Sequence, residues 1–144
     1  MKRLGIISIV PLIAATLGAP LAAQENDMAG KISVELNAAQ TADNSCQLTF
    51  MITNGLATQI DKVVYETVLF EKSGQVNRLA LFDFGTLPPA RPRVRQLVLP
   101  QITCEQLSRV LFNGANTCDG EGLAEGVCAN SFTPSSRTDI EVLG

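Results

Sequence analysis

From Ile32 to Asn37 the chain alternates apolar and polar residues at every step, the period-two signature of a strand buried on one face. Turn chemistry follows at Thr41-Ala42-Asp43-Asn44-Ser45. Cys46, Leu48, Phe50 and Ile52 then share one face of a second run, which stops at Asn54-Gly55. A third run, Ile60–Phe70, is apolar on both faces and rich in β-branched and aromatic residues (Val63, Val64, Tyr65, Thr67, Val68), which predicts a central strand. Lys72-Ser73-Gly74-Gln75 turns the chain into a fourth strand, Val76–Phe84, closed by Gly85. Pro88, Pro89 and Pro92 cannot donate to a ladder, so residues 87–92 form a loop leading into a fifth strand, Arg93–Leu99. Beyond it the pattern predicts a short helical turn at Glu105-Gln106-Leu107 and a sixth strand, Arg109–Phe112, ending at Asn113-Gly114. A glycine-bearing loop from Cys118 to Cys128 and a last alternating strand, Thr138–Val142, complete the chain.

No segment sustains a helical period, and no internal repeat or long linker divides the chain. About seven short strands with turn signals between them predict an all-β, immunoglobulin-like antiparallel β-sandwich. Residues 24–144 make up its single domain. Residues 1–23 read differently. Lys2-Arg3 is followed by an almost wholly apolar run from Leu4 to Leu17 and by the small-residue stretch Gly18-Ala19-Pro20-Leu21-Ala22-Ala23. That is the layout of a secretory signal cleaved after Ala23. The apolar run is shorter than the ~20 residues of a spanning helix, so no stable membrane anchor is expected after cleavage. Lys2-Arg3 is not a twin-arginine pair, and the first cysteine, Cys46, lies too far on for a lipid anchor. The expected destination is the bacterial periplasm or the exterior.

Composition narrows the chemistry. The 144-residue sequence has 46% hydrophobic and 17% charged residues, a net charge of −3, and neither His nor Trp. Without His there is no imidazole-based triad, no HExxH zinc site and no His-ligated haem. Cleavage would remove Lys2 and Arg3, leaving nine basic against fourteen acidic residues, a net charge of −5. An acidic domain lacks the basic footprint of a nucleic-acid binder. Cys46, Cys104, Cys118 and Cys128 are even in number, which in an exported chain reads as two disulfides. Of the three possible pairings, Cys46–Cys104 with Cys118–Cys128 is preferred, joining an early strand to the late half and closing a small loop. A four-thiolate metal site would want a CxxC pair, and none is present.

A family resemblance accompanies this pattern. Ile52-Thr53-Asn54-Gly55, Ile60-Asp61-Lys62-Val63-Val64, Leu69-Phe70-Glu71-Lys72-Ser73-Gly74 and Leu87-Pro88-Pro89 before Val94-Arg95-Gln96-Leu97 occur in the order found in small immunoglobulin-like bacterial envelope domains of the FxLYD type. The stretch that resembles them spans about residues 46–100. Phe70-Glu71 stands where that family has aromatic-Asp, and the four cysteines are not part of its pattern. The resemblance implies a sandwich and an accessory role, and it carries no catalytic residues.

Few constellations carry chemistry. Arg91, Arg93 and Arg95 project to one side of an extended chain. They predict either a positively charged edge strand that discourages sheet-to-sheet pairing or a face that grips carboxylate or phosphate. Asp119-Gly120-Glu121-Gly122 with Glu125 lacks the regular ligand spacing of a calcium loop and reads as a solvated acidic loop. Asp61, Glu66, Glu71 and Asp83 are the carboxylates available to a paired-acid site, but they fall on strand faces or turns. Tyr65, the sole Tyr, reads as core. No cofactor or metal ligand set is expected. Two functions follow: an exported, non-catalytic sandwich that binds an unidentified envelope protein, or a small periplasmic hydrolase or thiol-disulfide enzyme using carboxylates or a labile disulfide.

Overall fold

The computed structural model describes residues 27–144; the Met1–Ala23 segment read as a secretory signal lies outside the described residues. Eight strands form the fold: β1 Ile32–Ala42, β2 Ser45–Asn54, β3 Ile60–Glu71, β4 Val76–Leu87, β5 Arg93–Pro100, β6 Leu107–Asp119, β7 Phe132–Ser136 and β8 Glu141–Leu143. A 3-10 turn over Cys104–Gln106 precedes β6, and one helical turn, α1 Val127–Asn130, precedes β7. Two four-stranded sheets result, in the orders β5-β2-β1-β7 and β4-β3-β6-β8. Their facing sides bury Leu36, Leu48, Phe50, Ile52, Tyr65, Leu69, Phe82, Phe84 and Phe112. The immunoglobulin-like sandwich is therefore as the alternation predicts. β1, β2 and β5 take the order of strands A, B and E of that fold, and β4, β3 and β6 that of C′, C and F.

The core is aromatic at its centre. Phe50 of one sheet lies 5.8, 5.7 and 5.9 Å from Phe82, Phe84 and Phe112 of the other, ring centre to ring centre. The two buried polar side chains, Asn54 and Thr67, both have partners, as burial without a hydrogen bond would be costly. The Asn54 Nδ2 donates to the carbonyls of Thr58 and Leu87, and its Oδ1 accepts from the Leu56 amide, all at 2.9 Å. Thr67 Oγ1 donates to the Ala80 carbonyl at 2.8 Å. Both predicted disulfides are present. Cys46–Cys104 ties β2 to the turn ahead of β6, while Cys118–Cys128 ties the end of β6 to α1.

The first strand runs past Asn37 to Ala42, taking in two residues of the expected turn, and the fourth runs through Gly85 to Leu87; the larger differences from the pattern lie in the last third. The sixth strand does not end at Asn113-Gly114 but runs on to Asp119. Asn113 is the extra residue of a bulge, where the pairing steps from Thr67–Phe112 to Glu66–Gly114. Phe132–Ser136, which holds Pro134 and three hydroxyl residues, is a strand; it lies at a sheet edge, where a missing amide hydrogen is tolerated. The last strand is Glu141–Leu143 rather than Thr138–Val142. The two late strands also pair in parallel, β7 with β1 and β8 with β6, whereas the other four pairings are antiparallel. Between β7 and β8 the chain crosses from one sheet to the other. The Arg137 amide donates to the Leu36 carbonyl at 2.9 Å, and its guanidinium meets Glu35 at 3.0 Å.

Candidate interaction edge

β4 and β5 are the outermost strands of their sheets on one side of the sandwich, joined by the Pro88–Pro92 loop. On β5 the parity is set by Leu97 and Leu99, which turn toward the core. Arg93 and Arg95 share their face, while Val94, Gln96 and Val98 point outward. The three arginines therefore part company. Arg95 crosses to the other sheet: its Nε donates to the Phe84 carbonyl at 2.9 Å and its Nη2 to that of Thr86 at 3.4 Å. Its remaining Nη1 donates to the Val94 carbonyl at 3.1 Å, so every guanidinium nitrogen is engaged. The Arg93 side chain hydrogen-bonds only the neighbouring Pro92 carbonyl, at 3.1 Å, and Arg91 is exposed in the loop.

The β4 end that receives Arg95 is shaped by a bulge. Pairing steps from Val64–Asp83 to Val63–Gly85, so Phe84 is the extra residue. Gly85 holds φ at 67°, a left-handed value that favours glycine, and its amide donates to the Asp83 carboxylate at 2.8 Å. At the far end Arg78, which the sequence pattern did not single out, supplies a second crossing. Its Nη2 donates to the Pro100 carbonyl at 2.7 Å, and its Nε is held by Asn77 at 2.8 Å. Arginines from opposite edges thus lace the two sheets at both ends of the seam. Between the laces, β4 residues Leu79–Asp83 pair with β3 alone.

Apolar side chains border this seam. Among the described residues the large hydrophobics that stand exposed are Met51, Val76, Leu79, Leu81, Val94 and Val98. All lie on β4 or β5 except Met51, which is directly opposite Val94 in the β2–β5 register. Leu79 and Val98 are 63% and 60% exposed. Leu79 also begins a cross-strand row, Leu79–Val68–Leu111–Leu143, on the outer face of its sheet. Solvated outer faces are usually polar.

The charge distribution is uneven as well. Lys62, Arg109 and Arg137 hold Asp83, Glu141 and Glu35 respectively, at 3.9, 3.7 and 3.0 Å. Arg78, Arg91, Arg93 and Arg95 hold no carboxylate within salt-bridge distance among the described residues. Four of the nine basic residues after Arg3 are therefore gathered without acid partners on one side of an acidic chain. The carboxylates with lowered proton affinity lie elsewhere. Glu35 is held down by the Asn37 amide and by Arg137, and Glu105 by its own backbone amide and the Thr41 hydroxyl.

The remaining sequence candidates are dispersed. Glu66 accepts from Asn113 at 2.8 Å and Glu71 from Asn77 at 2.7 Å, whereas Asp61 and Asp83 are exposed on opposite strands. Asp61 shares a shallow depression with Thr58, Gln59 and Glu121. Among the described residues no three Cys, Asp or Glu side chains come together as a metal site. No helix there is long and apolar enough to cross a membrane. Tyr65 is core, its hydroxyl donating to the Cys128 carbonyl at 2.9 Å.

No family model matches this chain, and no curated protein does. A solved structure of IrmA from Escherichia coli is similar to it, with 17% identity and a TM-score of 0.58, over 72% of this chain and 90% of that one. At that identity the likeness shows a shared sandwich fold.

Proposed function

We propose that this chain is an exported, non-catalytic sandwich that works by binding a protein of the bacterial envelope, in an accessory, adaptor or assembly role, through its β4–β5 side. The observation that carries the reading is the gathering of the exposed large hydrophobics on that side, together with four arginines that lack acid partners. Exposed apolar side chains gathered beside charge mark interaction sites; here Leu79 and Leu81 stand on the outer face of one sheet and Val94 and Val98 on that of the other, to either side of the seam. Two further features support the same reading. Paired cysteines suit an oxidising compartment outside the cytosol. The likeness of residues 46–100 to FxLYD-type envelope domains also implies an accessory role.

A photo-reactive residue placed at Leu81 or at Val98 tests the proposal in the producing cell. Both positions are expected to cross-link to the same discrete partner, while Ser135, exposed on the β7 edge, is not. Equal labelling from all three positions, or none from Leu81 and Val98, overturns it.

A further inference from the structure

We propose that Asn113 is a site of spontaneous covalent modification, where the Gly114 amide nitrogen closes on the Asn113 side chain and the amide becomes a carboxylate beside Glu66. In the closing step the Gly114 nitrogen loses its proton and bonds to Asn113 Cγ. The Cγ–Nδ2 bond breaks and the nitrogen leaves as ammonia. Water then opens the five-membered imide at either carbonyl, leaving aspartate or isoaspartate at this position. Water is the sole co-reactant, and nothing is oxidised or reduced. Glycine favours the closure because no side chain crowds the attacking nitrogen and its backbone bends readily.

The chain carries the Asn-Gly step twice, and the structure separates the two. Asn54 is buried, and its side-chain amide is engaged at both ends by the Thr58 and Leu87 carbonyls and the Leu56 amide. The Gly55 nitrogen is itself held, donating to the Lys31 carbonyl at 2.7 Å. Closure there must wait for the strand end to open. Asn113 is exposed and, as the extra residue of the bulge, is left out of the pairing with β3. Its side chain makes one hydrogen bond among the described residues, from Nδ2 to Glu66 Oε1 at 2.8 Å. A Cβ added to Gly114 would meet no atom within 4 Å, so the space beside the reacting atoms is open. Asn37, Asn44, Asn116 and Asn130 are exposed as well, but each precedes a residue that bears a side chain.

The product changes the charge of a defined place. Glu66 stands opposite Leu81 in the β3–β4 register and shares a shallow depression with Leu79 and Leu81. Conversion replaces its donor with a second carboxylate at hydrogen-bonding distance. Two like charges so close disfavour each other's ionised form, which raises the proton affinity of the pair in the folded chain. The folded state is thereby penalised while both groups are ionised, and the penalty fades as falling pH returns a proton to the pair.

The purified chain is incubated at mildly alkaline pH, digested and mapped by mass spectrometry, with isoaspartyl methyltransferase labelling to detect the isomer. Conversion at Asn113 is expected to be about tenfold faster than at Asn54 or more, because Asn54 reacts only from a locally opened state. In urea the two rates should converge. N113Q should remove the fast site and leave the circular dichroism unchanged. The fixed mimic N113D should unfold at lower urea than the native chain at neutral pH, with the gap closing in acid. Absence of conversion at Asn113, or equal rates at Asn113 and Asn54 in the folded chain, overturns the site. Equal urea midpoints for N113D and the native chain at neutral pH overturn its effect on Glu66.

Discussion

Tyr65 packs its ring 6.0, 5.4 and 5.1 Å from those of Phe84, Phe112 and Phe132, and its hydroxyl reaches the Cys128 carbonyl. Burial pushes the phenol's proton affinity well above the usual value, so the ring stays neutral and keeps its donor. Tyr65→Phe keeps the packing but leaves that carbonyl without its donor, and should cost about 1–3 kcal/mol in urea unfolding. Gly55 is constrained from the other direction. Its amide donates to Lys31 and its carbonyl accepts from Gly30, so close that an added Cβ would run into the backbone carbonyls of Met28 and Lys31. Gly55→Ala should therefore destabilise by about 1–3 kcal/mol, the cost of overpacking where backbone must yield. The core position of Tyr65 was legible because it sits in an apolar strand. The constraint on Gly55 was not, since the crowding atoms belong to residues more than twenty positions earlier in the chain.

At the scale of elements, β2 and β3 could be read almost to their ends, whereas the alternation that marks β1 breaks at Asn37, where the pairing with β2 is bulged, and the strand runs on to Ala42. Legibility failed where turn residues sit inside a strand. Asn113-Gly114 is a bulge, and the Pro134-bearing strand is held by β1 from across a hundred residues of sequence, which no local pattern can announce. The edge site was half legible. Period two grouped Arg91, Arg93 and Arg95, but only tertiary contact separates Arg95, which laces the sheets, from Arg91 and Arg93, which do not. Leu79 and Leu81 gave no warning, because an apolar residue in a strand is expected inside. Loss of the lace has a clear consequence. Arg95→Ala should uncover the Phe84 and Thr86 carbonyls and their strand end, giving concentration-dependent self-association by light scattering. Unchanged monodispersity would show that the Arg95 crossing does not guard this edge.

Taken whole, the molecule relies on two covalent ties of unequal reach. Cys46–Cys104 spans 58 residues and Cys118–Cys128 spans 10. Chain-entropy estimates assign them about 4 and about 3 kcal/mol, so replacing the first pair by Ala should lower the urea midpoint more than replacing the second. Acid should weaken the fold as well. Glu35 binds its proton less readily when folded, mainly because of the Asn37 amide and then Arg137, and Glu105 does so through its own amide and Thr41. Each contributes stability above its unfolded value near 4.5, and that contribution is lost as pH falls through the lower folded value. Glu35→Gln should flatten part of that decline in denaturation curves recorded from neutral to acid pH.

The late crossing from β7 to β8 bears on timing. β1 finds its parallel neighbour only in Phe132–Ser136, and β6 finds its own only in Glu141–Leu143. Neither layer can be finished while those stretches are still being synthesised. Folding should then be slow and all-or-none, with an aggregation-prone interval, because loops this long must close before their contacts reward them. A chain arrested at Asn130 should remain protease-sensitive, and release of the final segment should be the step that makes it resistant.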